Sequence, residues 1–534
     1  TRAYTIRMRE AGYDGVASVG RVQTPTMALV VRRENEIKDF HSIHHFSFQV
    51  DWHHLDGKIS SVWQPKEDMD GLDGENRLLD KSVAEVLLQK LQSIQNLSGQ
   101  ITTLEQAEKK EQPRLPYSLS SLQIDAGKKF GLSPQQVLDT MQSLYEKKLT
   151  TYPRSDCDYL PENQTADIDI ILGHLKGISE EFFKMVQGAD ASLRSKVWND
   201  KKISAHHAII PTIEEANFST LSDIEQKLYL MVAIAYIAQF YPAHVYLATK
   251  LKISCEGELF IAKGKTVQSI GWRSLYSSDP SEEDEDTQKN LPIVQEGDNV
   301  IYAGGTIIEK ETKPPTRFTP ASLLEAMKKI YKYVKDKSLQ PLLKECHGIG
   351  TEATRAGIIE TLQKRGYLYL EKKHLVPCDK AYQLYSVLSD DILYPDTTAL
   401  WEKELDAIRD GVPMDDFFAK QASYLGAFLE KGKIVQGCTE PQEIATCPKC
   451  GKHLRMIRGK NGSFWGCEDR ERCNATFSDC NSGPAIFKCP TCKNEYLHRW
   501  ASKKKKGVFY WACGDRNCKT FLLDKNGKPV FNKE

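Results

Sequence analysis

Leu149-Thr150-Thr151-Tyr152-Pro153-Arg154-Ser155-Asp156 is the stretch around which the rest of the chain is organised. It follows a helix-like run, and Pro153 stiffens the backbone between the tyrosine and the arginine. A phenol has a pKa near ~10, so it is a poor nucleophile at neutral pH unless a cation stabilises its anion. Arg154 is such a cation, and a guanidinium also binds phosphate with two parallel hydrogen bonds. The pair suggests a covalent phosphotyrosine, although a half-buried tyrosine with a solvated arginine is the commoner explanation of these residues alone.

The charge of the chain is distributed unevenly along its length. The whole chain of 534 residues has a formal net charge of zero, but residues 441–534 carry 19 Lys+Arg against 9 Asp+Glu, a net charge of +10. Residues 1–440 therefore carry a net charge of −10, and the basic tail predicts an anionic partner for residues 441–534. The longest apolar run, Leu228 to Phe240, is too short to cross a bilayer, so we expect no membrane partner.

Helical and strand-like patterns alternate along the chain and predict a mixed α/β multidomain fold. Residues 45–110 and 247–312 alternate polar and apolar side chains, which predicts a β-rich domain built from two separated pieces. In the second piece we expect strands at Val245 to Ser254, Leu259 to Lys263 and Asn299 to Lys310. The acidic run within 277–288 predicts a solvated loop, since it lacks the ligand spacing of a calcium site. The predicted segments are 1–40, 41–112, 113–246, 247–312, 313–436, 440–480 and 484–530.

Two glycine-containing segments are candidate phosphate contacts. In the first, small residues and hydrogen-bond donors precede a helix; it comprises Ser18, Val19, Gly20, Arg21, Val22 and Gln23. In the second, Gly348 and Gly350 lead into a helix that carries Arg355 one turn in, a geometry that favours anions. For the first segment taken by itself, an ordinary glycine turn into an apolar helix is the commoner explanation.

Two adjacent histidines occur in Ala205-His206-His207-Ala208-Ile209-Ile210-Pro211-Thr212. A histidine hydrogen-bonds a phosphate or moves a proton near neutral pH. The alternative for either ring is a packed residue at a helix cap.

Eight of the 14 cysteines form two regular sets near the C-terminus. The sets are Cys447, Cys450, Cys467 and Cys473, then Cys489, Cys492, Cys513 and Cys518. Pairs two residues apart followed by a second pair predict two four-thiolate zinc sites in a reducing compartment. Aromatic residues alternate with cations in the same region, a combination that suits single-stranded nucleic acid, although some of these rings must form the small cores of the ribbons.

Taken together, four of these stretches resemble the type IA DNA topoisomerases, and within them the bacterial topoisomerase III group. The matching segments are 18–25, 151–156, 205–212 and 348–356, which occur in family order within residues 1 to about 435. The cysteine sets resemble the C-terminal zinc modules of family members.

The resemblance implies a toroidal core whose arch is the β-rich domain, followed by two zinc ribbons. It implies that Tyr152 attacks a phosphodiester and holds the 5′ end, that Arg154 stabilises the phosphate and that His206 assists. It also implies that residues 18–23 contact single-stranded DNA, that strand passage and religation relax or decatenate DNA without ATP, and that Mg²⁺ is a cofactor. A cytoplasmic monomer with a helicase as a candidate partner is the accompanying expectation.

One part of the family pattern does not occur in this chain. The acidic magnesium-binding domain that precedes the first motif in the family (the toprim domain) has no counterpart, and Thr1 already lies in a helix-like run. We therefore expect a preceding segment that is needed for activity. The alternative function is a catalytically incomplete fragment that only binds single-stranded DNA.

Overall fold

The computed structural model describes residues 1–531, except 11, 12, 14, 68, 204, 277–290, 346, 347, 432–445, 460, 461, 470, 471, 481, 482, 503–507, 516 and 526. The acidic run predicted as a loop therefore lies outside the described residues. The chain divides into two compact units, one of Thr1–Arg7 with Gly15–Ile434 and one of Met8–Asp14 with Val435–Glu534. No helix in the described part of the chain is long and apolar enough to cross a bilayer.

Helix is the main regular structure in the described residues of the first unit. The helices are α1 (Arg2–Glu10), α2 (Gln23–Lys38), α3 (Lys81–Ser93), α4 (Leu119–Phe130), α5 (Pro134–Glu146), α6 (Ile168–Lys176), α7 (Glu180–Gln187), α8 (Asp223–Ile237), α9 (Pro320–Lys328), α10 (Gln340–Glu345), α11 (Glu352–Lys364), α12 (Asp379–Val387), α13 (Asp390–Leu393), α14 (Asp396–Arg409) and α15 (Met414–Lys431). Short 3-10 turns are Glu162–Asp167, Asp200–Lys202, Phe218–Thr220, Ala238–Phe240, Gly271–Tyr276, Ile330–Tyr333 and Lys337–Leu339.

Local capping explains where the helices around the tyrosine begin. The Ser133 side chain accepts the Gln136 N–H, and Pro134 occupies the first helical position of α5, where its missing donor costs nothing. Ser222 and Glu225 form the reciprocal cap of α8. Helix α4 ends at Gly131, whose φ of 70° is the left-handed conformation that glycine adopts without a steric penalty.

Six antiparallel strands close into a barrel in the order β1-β2-β5-β4-β3-β6. The strands are β1 (His44–His54), β2 (Gly57–Gln64), β3 (Ser98–Glu111), β4 (His244–Cys255), β5 (Glu258–Ser269) and β6 (Asn299–Glu311). The alternation seen in the sequence places Phe48, Val50 and Trp52 inside the barrel, where each is at most 1% exposed. The barrel thus uses both strand-rich stretches of the chain, and β5 extends beyond the predicted Leu259–Lys263.

The chain leaves and re-enters the barrel between two neighbouring strands. Strands β3 and β4 pair over their length, and Glu111 at the end of β3 lies opposite His244 at the start of β4. The helices α4 to α8 that lie between them in sequence bury a core that includes Leu122, Met141 and Tyr229, and the turn Gly271–Tyr276 after β5 adds Trp272 and Leu275 to it. The tyrosine turn belongs to this inserted domain.

A two-stranded hairpin and two small four-stranded sheets complete the fold. The hairpin consists of β7 (Leu368–Glu371) and β8 (His374–Pro377). The sheets of the second unit consist of β9 (Leu454–Gly459), β10 (Gly462–Cys467), β11 (Thr476–Cys480) and β12 (Gly483–Pro484), and of β13 (Leu497–Ala501), β14 (Phe509–Cys513), β15 (Phe521–Lys525) and β16 (Lys528–Pro529).

Candidate active site and nucleic-acid interface

The turn that carries Tyr152 is fixed against the histidine segment by backbone hydrogen bonds. Thr150 forms an antiparallel bridge with Pro211, and the Thr151 N–H donates to the Ile210 carbonyl at 3.0 Å. The Thr151 hydroxyl also donates to the Ala208 carbonyl at 3.1 Å. Two segments that lie nearly 60 residues apart in sequence therefore form one local structure, which the sequence pattern alone did not predict.

The Tyr152 ring lies between two other rings and remains accessible. It stacks on the His206 ring with centroids 4.6 Å apart and an interplanar angle of 25°. The Tyr145 ring, from the last turn of α5, meets it edge-on at 5.7 Å. Tyr152 is 36% exposed, so the phenol is both positioned by packing and open to a substrate.

The structure distinguishes the two adjacent histidines. The His207 ring lies 2.8 Å from the Ala208 carbonyl through Nδ1 and 2.9 Å from the Gln164 amide through Nε2. A proton on Nδ1 satisfies both contacts, and burial lowers the pKa of this imidazole, so His207 is neutral and structural. His206 is exposed and is the histidine that contacts Tyr152.

Arg154 lies two residues after Tyr152, beyond the buried Pro153, and its side chain is exposed. Within the part of the chain that the structure describes, it forms no ion pair. Its exposed guanidinium, two residues along the chain from an accessible phenol, has hydrogen-bond donors available for an anion.

The segment 18–23 forms a polar cluster at the start of α2. Ser18 Oγ donates to Gln23 Oε1 at 3.2 Å, and the Arg365 guanidinium donates to both Ser18 Oγ and Gln23 Oε1. Arg21 pairs with Glu402 of α14. A Cβ added to Gly20 would meet no atom within 4 Å, so the fold leaves open space at this glycine.

The sequence pattern did not predict a functional role for Arg365, which lies directly after the end of α11. Cations are common at helix C-termini because they stabilise the helix dipole, so its position alone carries no functional signal. Only its contacts with Ser18 and Gln23 connect it to the predicted DNA-contacting segment.

Arg355 lies in a different environment from the one expected of a DNA contact. It is 2% exposed, and its guanidinium donates to Glu352 at 2.7 Å, to Ser120 Oγ at 2.9 Å and to the Ile349 carbonyl at 3.1 Å. The first turn of α11, where the sequence predicts a bound anion, thus carries the Glu352 carboxylate, which pairs with Arg355. Its role in DNA binding stays a prediction, and this geometry favours a role inside the protein.

Each of the two cysteine sets gathers around a point. In each set the four Sγ atoms all lie within 4.8 Å of one another. Cys447 and Cys473 approach to 3.7 Å, and Cys450 and Cys467 to 3.4 Å. Four thiols at these separations are a ligand set for one tetrahedral soft-metal ion. Within the described residues these two sets are the candidate metal groups, and both consist of sulfur alone.

The aromatic residues of the tail divide into core and surface groups. Phe477 and Trp511 are buried, at 1% and 0% exposure. Cross-strand pairing places Trp500, Tyr510 and Leu523 side by side on the opposite face of the second sheet. Trp500 is 54% and Leu523 67% exposed, and Phe521 stacks on Tyr510 at 4.9 Å.

Comparison with known proteins gives the same relationship as the motifs. A family model described as DNA topoisomerase matches residues 1–418. The chain belongs to the type IA family of DNA topoisomerases. It is 40% identical over 459 residues to DNA topoisomerase 3 of Vibrio cholerae, with 85% of this chain and 70% of that protein covered. It is 32% identical over 533 residues to DNA topoisomerase 3 of Bacillus subtilis, with 97% and 69% covered.

These relatives confirm the resemblance to the topoisomerase III group. The chain spans about two thirds of their length, for example 65% of DNA topoisomerase 3 of Haemophilus influenzae, to which it is 40% identical. The fold class is also confirmed. The structure of full-length topoisomerase I from Thermotoga maritima superposes with a TM-score of 0.59 at 22% identity, covering 91% of this chain and 74% of that one.

Proposed function

We propose that this type IA topoisomerase cleaves single-stranded DNA through Tyr152. The phenolic oxygen attacks the phosphorus of a phosphodiester, and the bond from phosphorus to the 3′ oxygen breaks. The products are a 5′-phosphotyrosine and a free 3′ hydroxyl. The reverse attack reseals the strand, and because the phosphotyrosine keeps the energy of the broken bond, the cycle needs no ATP. Strand passage between the two steps relaxes or decatenates DNA.

The residues around Tyr152 support separate roles in this reaction. Arg154 is proposed to bind the phosphate and to stabilise the charge that develops on its oxygens, and the exposure of its guanidinium supports this role. His206, stacked on the phenol, offers an imidazole that hydrogen-bonds the phosphate or moves a proton. The contact between Tyr152 and His206 is the single observation that carries the proposal, because it joins two of the four motifs around one accessible nucleophile.

Residues 18–23 and Arg365 are proposed to bind the DNA strand. Arg365 adds a cation to the hydroxyl and amide of Ser18 and Gln23, and Gly20 leaves room for a close backbone approach. These groups contact phosphate and sugar and therefore fix the register of the strand without selecting its sequence.

Magnesium, which the resemblance implies, has no matching ligand group in the described residues. Mg²⁺ takes oxygen ligands in octahedral geometry, whereas both candidate metal groups here are four thiols. The roles assigned to Tyr152, Arg154 and His206 accordingly involve no magnesium ligand of this chain.

The ribbons of the tail are proposed to hold zinc and to bind single-stranded DNA. Thiolate tetrads of this size bind Zn²⁺ structurally and supply folding energy that such small sheets lack. The exposed Trp500 and Phe521 rings offer surfaces on which bases stack, and the basic tail attracts the phosphates.

Trapping of the covalent intermediate tests the nucleophile. The chain, supplied with the magnesium-binding domain of a topoisomerase 3 relative, is mixed with labelled single-stranded DNA and denatured. Tyr152→Phe lacks the attacking oxygen, so it should bind DNA and form no adduct, whereas Tyr369→Phe, a change at another exposed tyrosine, should form it normally. Arg154→Ala should slow adduct formation by about 10²–10³-fold. An adduct in Tyr152→Phe would identify another nucleophile.

A further inference from the structure

The start of α4 connects the tyrosine turn to helix α11 through three backbone donors. In the inserted domain, the Ser118 N–H donates to Asp158 at 2.8 Å and the Leu119 N–H donates to the Ser155 carbonyl at 2.9 Å. In α11, the Glu352 carboxylate accepts the Ser120 N–H at 2.7 Å. The carbonyl of Ser155 belongs to the turn that carries Tyr152. Helix α4 therefore links that turn to Glu352.

The contact between α4 and α11 is charged and excluded from water. Glu352 is 7% exposed, and Arg355 and Ser120 are 2% and 0% exposed. Arg355 Nη1 donates to the second Glu352 oxygen at 2.7 Å and to Ser120 Oγ at 2.9 Å. Hydrogen bonds to ionised groups are stronger than neutral ones, and the dry surroundings strengthen them further. This junction is thus a buried, charge-assisted contact.

The local cap of α4 serves a different N–H from the one that Glu352 accepts. Ser121 Oγ accepts the Ser118 N–H at 2.9 Å within the first turn, as in a reciprocal helix cap, whereas the Ser120 N–H donates to the Glu352 carboxylate. The Glu352 carboxylate comes from 232 residues further along the chain. Its effect is to fix the position of α4 relative to α11.

We propose that Glu352, held by Arg355, is a positioning residue that keeps the tyrosine turn in its cleavage geometry. This inference rests on the proposed function of Tyr152. The turn is fixed at its start by the Thr151 contacts with the 208–211 segment and at its end by the Ser155 carbonyl. Loss of the Glu352 carboxylate removes the acceptor of the Ser120 N–H and the charged partner of the buried Arg355 guanidinium, so the first turn of α4 shifts and Ser155 shifts with it.

The rate of cleavage, not the affinity for DNA, should respond to this change. Nucleophilic attack depends steeply on the placement of the attacking oxygen, and a displacement of about 1 Å costs on the order of 10²-fold in rate. The proposed DNA-binding residues 18–23 and Arg365 lie outside the junction and should keep the dissociation constant unchanged.

Single-turnover adduct formation with matched variants, each supplied with the same magnesium-binding domain as above, tests the proposal. Glu352→Ala should form the adduct about 10- to 100-fold more slowly, with an unchanged dissociation constant for single-stranded DNA. Glu352→Gln keeps an acceptor and the side-chain shape, so it should recover part of that loss, and it supplies the comparison if the alanine variant does not fold. Glu34→Ala is the control, because Glu34 is a buried carboxylate, 6% exposed, that is hydrogen-bonded at 2.7 Å to Arg317 instead.

Amide hydrogen exchange across residues 150–157 provides a readout that does not depend on catalysis. Exchange should accelerate in Glu352→Ala and remain as in the wild type in Glu34→Ala. Wild-type adduct rates in both Glu352 variants would overturn the positioning role while leaving Tyr152 as the nucleophile. If the wild type forms no adduct, the proposed function fails, and unchanged exchange in Glu352→Ala would then overturn the positioning role as well.

Discussion

Protonation of Glu225 should destabilise the domain that carries Tyr152. This carboxylate of α8 accepts hydrogen bonds from Lys147 at 2.6 Å and Ser143 at 2.7 Å, both at the end of α5, and from the Ser222 N–H at 2.9 Å. Burial alone raises the pKa of Glu225, but these hydrogen bonds outweigh it and lower the pKa from 4.5 to about 2. The charged form therefore stabilises the fold.

The magnitude follows from the difference between the folded and unfolded pKa values. A full shift from 4.5 to about 2 corresponds to at most about 3 kcal/mol of unfolding free energy at neutral pH. The Lys147 side chain is 41% exposed, and screening by water reduces the contribution to about 1–2 kcal/mol. Because the folded pKa is depressed, this contribution is complete above pH ~4.5 and disappears as the pH falls towards about 2, with about 1 kcal/mol lost at pH 3.5.

Denaturant unfolding of the wild type and of Glu225→Gln, followed between pH 7 and pH 3.5, measures this effect. The variant should be less stable by about 1–2 kcal/mol at pH 7, and the gap should narrow as the pH falls. Glu180→Gln is the control, since Glu180 pairs with Lys184 at 3.0 Å but is 82% exposed, and it should change stability by less than about 0.5 kcal/mol. A gap that stays constant from pH 7 to pH 3.5 would refute the assignment of the pKa shift to Glu225.

Three further predictions concern the metal and the DNA. Elemental analysis should find about two zinc ions per chain. Cys489→Ser should lower the zinc content by one ion, whereas Cys255→Ser, which lies outside both sets, should leave it unchanged. A zinc content near zero in the native chain would contradict the assignment of two zinc ribbons. The affinity of the chain for single-stranded DNA should fall steeply with salt. Trp500→Ala should weaken the binding free energy by about 1–3 kcal/mol. Binding that is insensitive to salt would contradict DNA binding by the basic tail. Arg365→Ala should raise the dissociation constant for DNA and leave the adduct rate at saturating DNA intact; the opposite result would assign Arg365 to catalysis.

Sequence periodicity was sufficient to predict the helices and strands that bury one face. The alternation around Phe48, Val50 and Trp52 predicted strands because a half-buried strand needs an apolar side chain at every second position. The end of β5 was not predicted, because residues 264–269 are largely polar and extend beyond the part of the barrel that encloses the core. Hydrogen bonding to β4, which leaves no pattern in the sequence, determines how far that strand continues.

The candidate site was predictable in its residue types and less so in its contacts. The sequence contains two histidines in a row, and only the backbone geometry at Ala208 shows which ring turns inward and which meets Tyr152. Arg355 looked like a phosphate ligand at a helix start, since the sequence does not show that Glu352 and Ser120 enclose it. Both differences arise from tertiary contacts between segments that are distant in sequence.

The pairing of Glu111 with His244 has a consequence for how the chain folds. The ends of the domain inserted between β3 and β4 lie one strand spacing apart, about 5 Å. Once that domain has collapsed around its own core, a loop of more than 130 residues behaves as a short connection, and most of the entropy cost of pairing β3 with β4 has already been met. We therefore expect the nucleophile-bearing domain to fold first and the barrel to close afterwards, with strand pairing as the slow step.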